Sequence, residues 1–346
     1  MTRDRRSTSP PPEVGNYRAP YTSKDLILYA LSVGYENDEE EVKFLFEKHA
    51  SFEAVPTFAF VLSFCASKSK AQRPGIQPFP PPMMSTGGVV PKEFIVDGVS
   101  PQNMPLIHVW QKIEWHRPLP VPYPNGSTAY ESPVHTVLNS RVLAVQPKSV
   151  GTFVTTETGV SLAGGSQAQL CTLQASTLVL GMPAKNVRPY SSPGKQVSKK
   201  ASIPLERKPV FVWNYQTTPT QALLYRLTGD SNDIHADPTL TSDLLVNSTR
   251  PLLHGLCTLA IAVRGILKFL RSEQSNVRLK TLEARFTKPV LVGDALILSI
   301  WEERPHSGVL LFRVKNDLGV VLDGGHLEYI PSPHTKSDKN ALQSKL

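Results

Sequence analysis

The chain is 346 residues long with 40% hydrophobic residues, enough for a sizeable core in two domains or in one fold used twice. Its 37 basic against 29 acidic residues leave a net charge of +8, which favours anionic partners, although much of the excess, such as Arg3, Arg5, Lys199 and Lys336, lies in polar stretches that read as tails and linkers. No stretch of about 18 uncharged apolar residues is present to span a membrane, and Cys65, Cys171 and Cys257, lacking any C-x-x-C spacing, read as free thiols in a reducing compartment.

Residues 1–20 are basic and proline-rich without an apolar h-region, so they read as a disordered segment and not a secretory signal. Ser23 is placed to cap a helix over Lys24–Leu31, with Asp25 in its first turn. Asp38 to His49 reads as an amphipathic helix, and Pro56 to Ala66 as a helix apolar on nearly every side and therefore buried. Residues 67–107 are rich in Pro, Gly and Ser and read as long loops. Strands are predicted over His108–His116, His135–Val145, Thr152–Leu162 and Gln167–Leu180, followed by linker composition from residue 186 to 209.

The second half repeats this order. A short helix over Gln221–Leu227 leads into Tyr225-Arg-Leu-Thr-Gly-Asp-Ser-Asn-Asp-Ile-His-Ala-Asp-Pro238, with Asp237-Pro238 as a turn or helix start. A largely apolar helix follows from Pro251 to Arg271, on which Arg264, Lys268 and Arg271 share a face read as solvated, with the phosphates of a ligand as the second reading. Strands close the half at Leu282–Phe286, Ala295–Trp301, Val309–Lys315 and Val320–Ile330. Tyr29-Ala-Leu-Ser parallels Tyr225-Arg-Leu-Thr, and Val55-Pro56 parallels Arg250-Pro251. From tyrosine to proline is 27 residues in one copy and 26 in the other. The domains are therefore 1–20, an N-terminal segment; 21–185, a degenerate first copy; 186–209, a linker; 210–330, the working copy; and 331–346, a tail.

The copies differ where chemistry belongs. Asp230 and His235 fall on Gly34 and Glu39, and Gly255, at the start of the apolar helix, falls on Phe60. A carboxylate and an imidazole on one turn, beside a helix N-terminus, can move protons while an oxyanion is stabilised. His254 reads as a helix-start histidine and Cys257 as packing. The terminal Ser344-Lys345-Leu346 has the form of a peroxisomal address read by an import receptor.

The two motifs, Tyr225–Pro238 and Arg250-Pro-Leu-Leu-His-Gly-Leu-Cys257, resemble those of the MaoC-like (3R)-specific enoyl-CoA hydratase 2 family. Thr22–Gly34 and Val55-Pro-Thr-Phe58 resemble its N-terminal half, and Ala284–Val290 a strand after its helix. The resemblance implies an α+β double hot-dog, two antiparallel sheets each wrapped around a long central helix. It carries the catalytic pair onto Asp230 and His235 and the oxyanion donor onto the Gly255 N–H. Substrate contacts fall on Ser231, Asn232, Asp233, Ile234 and Phe286, and in the first half on His108, Val109 and Lys148. It implies a peroxisomal acyl-CoA substrate and a homodimer; no cofactor, metal or nucleic acid is expected, CoA being part of the substrate. The first half is expected to hold the fatty acyl tail in the space of the lost second site. The sequence departs from the family at Asp233, where proline is usual, and in about two extra residues between His235 and Gly255. A charge at Asp233 is expected to raise a pKa in the pair. A hot-dog thioesterase and a non-catalytic acyl-CoA-binding module are the alternatives.

Overall fold

The computed structural model describes residues 13–64, 90–96, 104–122, 133–164, 169–193, 201–244, 248–273 and 277–330. Cys65, most of the 67–107 loop expectation and the Ser344–Leu346 tripeptide lie outside the described residues.

The strands come together in one antiparallel sheet. Its path runs β1 (Glu13–Tyr21), β3 (Val134–Lys148), β4 (Gly151–Leu162), β5 (Gln169–Leu180), β2 (Leu106–Trp115), β8 (Arg278–Phe286), β11 (Gly319–Ile330), β10 (Val309–Asn316), β9 (Ala295–Glu302) and β7 (Phe211–Gln216). The short β6 (Tyr190–Ser191), inside the stretch read as linker, pairs with β3. The two expected sheets are thus the two halves of one surface, joined where Trp110 to Glu114 of β2 pair with Arg285 to Thr281 of β8. Each predicted strand is present, most extended by one to four residues.

Besides β6, two longer strands were not predicted. β1 replaces the expected disorder of residues 13–20: Tyr17, Ala19 and Tyr21 alternate onto the core, and Pro20 is tolerated because β1 is an edge strand. β7 alternates half-buried Phe211, Trp213 and Tyr215 with exposed positions between them.

The helices differ between the halves. In the second, α4 (Gly255–Glu273) is a long helix with nearly every residue through Leu267 buried. In the first, residues 56–61 form only a 3-10 helix, although Phe58 to Val61 are equally buried. The carbonyls an α-helix would use are taken from outside: Trp115 Nε1 donates to Pro56 O at 2.9 Å and Tyr29 Oη to Thr57 O at 2.9 Å. Asp38–His49 is likewise turns and one 3-10 segment, Val42–Phe44. Asp38 Oδ1 accepts from the Glu40 and Glu41 amides at 3.0 and 2.7 Å, an N-cap pattern that here opens only this short segment. Helix α1 (Ser23–Ser32) forms as expected, but its N-cap is Thr22, not Ser23: Thr22 and Asp25 bond reciprocally in a capping box.

The duplicated elements meet face to face. Tyr29 of α1 and Tyr225 of α2 (Gln221–Arg226) have ring centroids 5.9 Å apart, and Gln221 Nε2 donates to Ser32 O at 2.6 Å. Arg264 is not on a solvated face. It is 2% exposed and donates through Nε and Nη2 to the two oxygens of Glu41, each at 2.8 Å, with its guanidinium over Tyr35, Trp213 and Tyr215. Lys268 adds contacts to Glu41 and Asp38 at 3.1 and 3.4 Å, and Arg271 lies over Phe44. All three cations therefore face the first half. Burial raises the Glu41 pKa, but the Arg264 bonds outweigh it and hold the carboxyl below its ordinary range.

Candidate active site

Helix α2 ends at Arg226, and Thr228 Oγ1 closes the turn by donating to Tyr225 O at 2.7 Å. Gly229 then takes φ +130°, open to glycine, and delivers Asp230 to the inside. Asn232 caps the next turn, its side chain accepting from Ile234 N at 3.3 Å, and the 3-10 segment Asp233–His235 brings the imidazole back. Helix α3 (Pro238–Leu244) follows directly from Asp237-Pro238. A carboxylate oxygen of Asp230 and ring nitrogens of His235 and His254 all lie within 4.8 Å of one another.

The His235 tautomer follows from its partner. Nδ1 lies 2.9 Å from Leu252 O, which can only accept, so Nδ1 carries the proton and Nε2 presents a lone pair. Burial pushes the Asp230 carboxyl up, against the opposing pull of His235 and of the Asn232 N–H. Burial pushes His235 down, against Asp230 and the Leu252 carbonyl. Burial thus shifts the two proton affinities toward one another.

Gly255 is the first residue of α4, and Thr258 N donates to His254 O at 3.0 Å, so the Gly255 N–H lies ahead of the helix's own bonding. A Cβ there would meet the Phe286 ring at 3.1 Å, a tight contact that a side chain could make only if the ring moved by a few tenths of an ångström. Phe286 in turn packs on His108, centroids 4.9 Å apart, so a residue of the first half reaches Gly255 through one ring. His108 Nε2 donates to Trp110 O at 3.0 Å, and burial pushes its pKa down to about 4. Val109 is the extra residue of a β-bulge between His108 and Trp110.

The other expected contacts divide. Ser231 is buried, and its hydroxyl has no hydrogen-bond partner among the described residues. The backbone oxygen of Ile234 accepts from Leu252 N and Thr241 Oγ1 at 3.3 Å each, pinning the loop. The Asp233 side chain is 79% exposed and lies 3.9 Å from Arg226, so it faces solvent and a cation. The expectation that it raises a pKa in the pair is corrected: the rise at Asp230 comes from burial. Lys148 ends β3, and β4 and β5 lie between that strand and β2.

His254, read from the sequence as a helix-start histidine, lies against both members of the pair. It is 1% exposed, stacks on His235 with centroids 3.7 Å apart, and lies 3.0 Å from Asp230 O through Nε2. Asp230, His235 and His254 are near enough to share a metal ion, but stacked rings direct their lone pairs side by side and not at one point.

Two family models match: the MaoC like domain over residues 200–315 and the MFE-2 hydratase 2 N-terminal domain over residues 20–87. The chain belongs to the MaoC-like family. It is similar to peroxisomal enoyl-CoA hydratase 2 of Arabidopsis thaliana, 28% identical with 83% of each chain covered. It is also similar to peroxisomal multifunctional enzyme type 2 of Mus musculus, 29% identical over 96% of this chain but only 40% of that protein. Among solved structures, the MaoC-like dehydratase from Phytophthora capsici has a TM-score of 0.69 and 26% identity, covering 93% of this chain and 97% of that one. This MaoC-like fold carries the double hot-dog expectation, with the first-half helix reduced as described.

Proposed function

We propose that this MaoC-like chain is a (3R)-specific enoyl-CoA hydratase, adding water reversibly across the double bond of a trans-2-enoyl-CoA in the peroxisome. The observation that carries this reading is Asp230 and His235 on one loop beside the Gly255 start of α4, in one copy of the duplicated unit. The hydratase names of the plant and mouse relatives support the reaction class, and their peroxisomal designation supports the compartment.

A water held by the Asp230 carboxylate and the His235 Nε2 lone pair donates both hydrogens to the pair and turns its own lone pair toward C3. As the O–C3 bond forms, one member of the pair takes a water proton and the C2=C3 electrons move onto the thioester oxygen. The Gly255 N–H and the positive end of α4 stabilise that enolate. Collapse of the enolate draws the proton to C2 on the face the water entered, so one water is added and nothing else is consumed. Acid–base work of this kind contributes about 10²–10⁴-fold.

The test is the fall in enoyl absorbance with crotonyl- and decenoyl-CoA, followed by chiral analysis of the 3-hydroxyacyl product. The (3R) product supports the proposal. Release of free CoA in place of hydration indicates a thioesterase, and binding without turnover indicates an acyl-CoA-binding module.

A further inference from the structure

His254 touches both members of the pair, yet the hydration chemistry above gives it no proton to move. Its Nε2 lies 3.0 Å from the main-chain oxygen of Asp230, which can only accept, so Nε2 carries the proton and Nδ1 is left as an acceptor. Among the described residues that buried Nδ1 has no hydrogen-bond partner, and an unmet buried acceptor costs about 1–3 kcal/mol. One face of the ring lies on His235 at 3.7 Å with an interplanar angle of 24°, and Tyr225 lies 4.7 Å away.

We propose that His254 is a positioning residue for hydration, fixing the His235 ring plane and the spacing between the acid–base pair and the Gly255 N–H. The inference rests on the hydratase reading. Three residues of the stretch Leu252–Gly255 do the holding. Leu252 O fixes the His235 tautomer, the His254 ring fixes its face, the His254 N–H holds the Asp230 backbone, and Gly255 follows at once as oxyanion donor. The segment is itself anchored: Leu252 N donates to Ile234 O and Leu253 N to Val290 O. A displacement of the histidine therefore moves the pair relative to the enolate. A misplacement of about 1 Å between reacting groups costs roughly 10²-fold.

The charged and titratable groups facing His254 are Asp230 and His235 on the loop, and Tyr225 and Arg226 at the end of α2. Burial, His235 and Arg226 keep the imidazole neutral, so it adds no charge against His235.

Two variants separate the contacts. His254→Phe keeps a ring to stack and loses the donor; His254→Gln keeps an N–H donor and loses the ring. The measurement is kcat, KM and the pH profile of kcat for crotonyl-CoA hydration, per folded molecule. The expected result is a fall in kcat of about 10–100-fold in each variant, with KM within about twofold and the acidic limb of the profile displaced. A purely structural histidine lowers the melting temperature and leaves kcat per folded molecule and the limb unchanged. That outcome overturns the proposal, as does failure of both variants to fold. Absence of turnover in the unaltered chain would instead overturn the hydratase reading.

Discussion

Gly34 and Asp230 hold equivalent places after equivalent tyrosines, and the surroundings of each show how one copy kept chemistry while the other became support. After Tyr225 the chain turns a buried carboxylate and an imidazole onto one another beside a helix start. After Tyr29 it turns through Gly34 at φ +84°, and the space where a side chain would begin is filled by the Tyr215 hydroxyl. The next residues are acidic as well, but Glu41 and Asp38 close on Arg264 and Lys268 of α4. The lost site is thus a clamp that holds the working half's central helix. Any room the first half gives an acyl tail therefore lies away from Gly34.

The largest effect that sharpens this contrast is Asp230→Asn, with hydration falling by about 10²–10⁴-fold while acyl-CoA binding persists, measured by enoyl absorbance and calorimetry. Next is Gly255→Ala, whose methyl meets Phe286 at 3.1 Å and displaces the donor. Turnover is expected to fall by about 100-fold with little change in melting temperature. On the supporting side the sign of the experiment reverses. Glu41→Ala leaves the buried Arg264 without its bidentate partner, and the unfolding free energy in urea is expected to drop by about 3–5 kcal/mol. The kcat of the molecules that remain folded is expected to stay close to its original value.

A smaller effect comes from pH. Burial holds His108, His235 and His254 below the ordinary histidine value, His108 at about 4. The unfolded chain then binds more protons than the folded one between that value and 6.5, so stability is full above 6.5 and is lost as pH falls. Glu41, held below its ordinary 4.5, acts in the same direction at lower pH, and the raised Asp230 opposes them. The urea midpoint is expected to be lower at pH 5 than at pH 7; an equal or higher midpoint at pH 5 contradicts the assignment of neutral buried imidazoles.

Much of the site was legible because its chemistry is local. Asp230, Asn232 and His235 fall within one turn-rich motif, and Gly255 stands at the start of the apolar run that forms α4. What stayed hidden depends on distant partners. Arg264 looked solvated because Glu41 is far away in sequence, and residues 56–61 looked like an α-helix because nothing local shows Trp115 and Tyr29 taking their carbonyls. β1 was obscured by Gly15, Asn16 and Pro20, which weaken a strand pattern that an edge position tolerates. Asp233 looked like a charge beside the pair, and a single turn of 3-10 helix carries it out to Arg226 and solvent.

The central claim, one working copy and one supporting copy, is tested most directly by titrating the Asp230→Asn chain with a trans-2-enoyl-CoA in a calorimeter while following the enoyl absorbance. One ligand bound per chain with no loss of absorbance is the predicted result. Two ligands per chain, or hydration continuing near the unaltered rate, would contradict it.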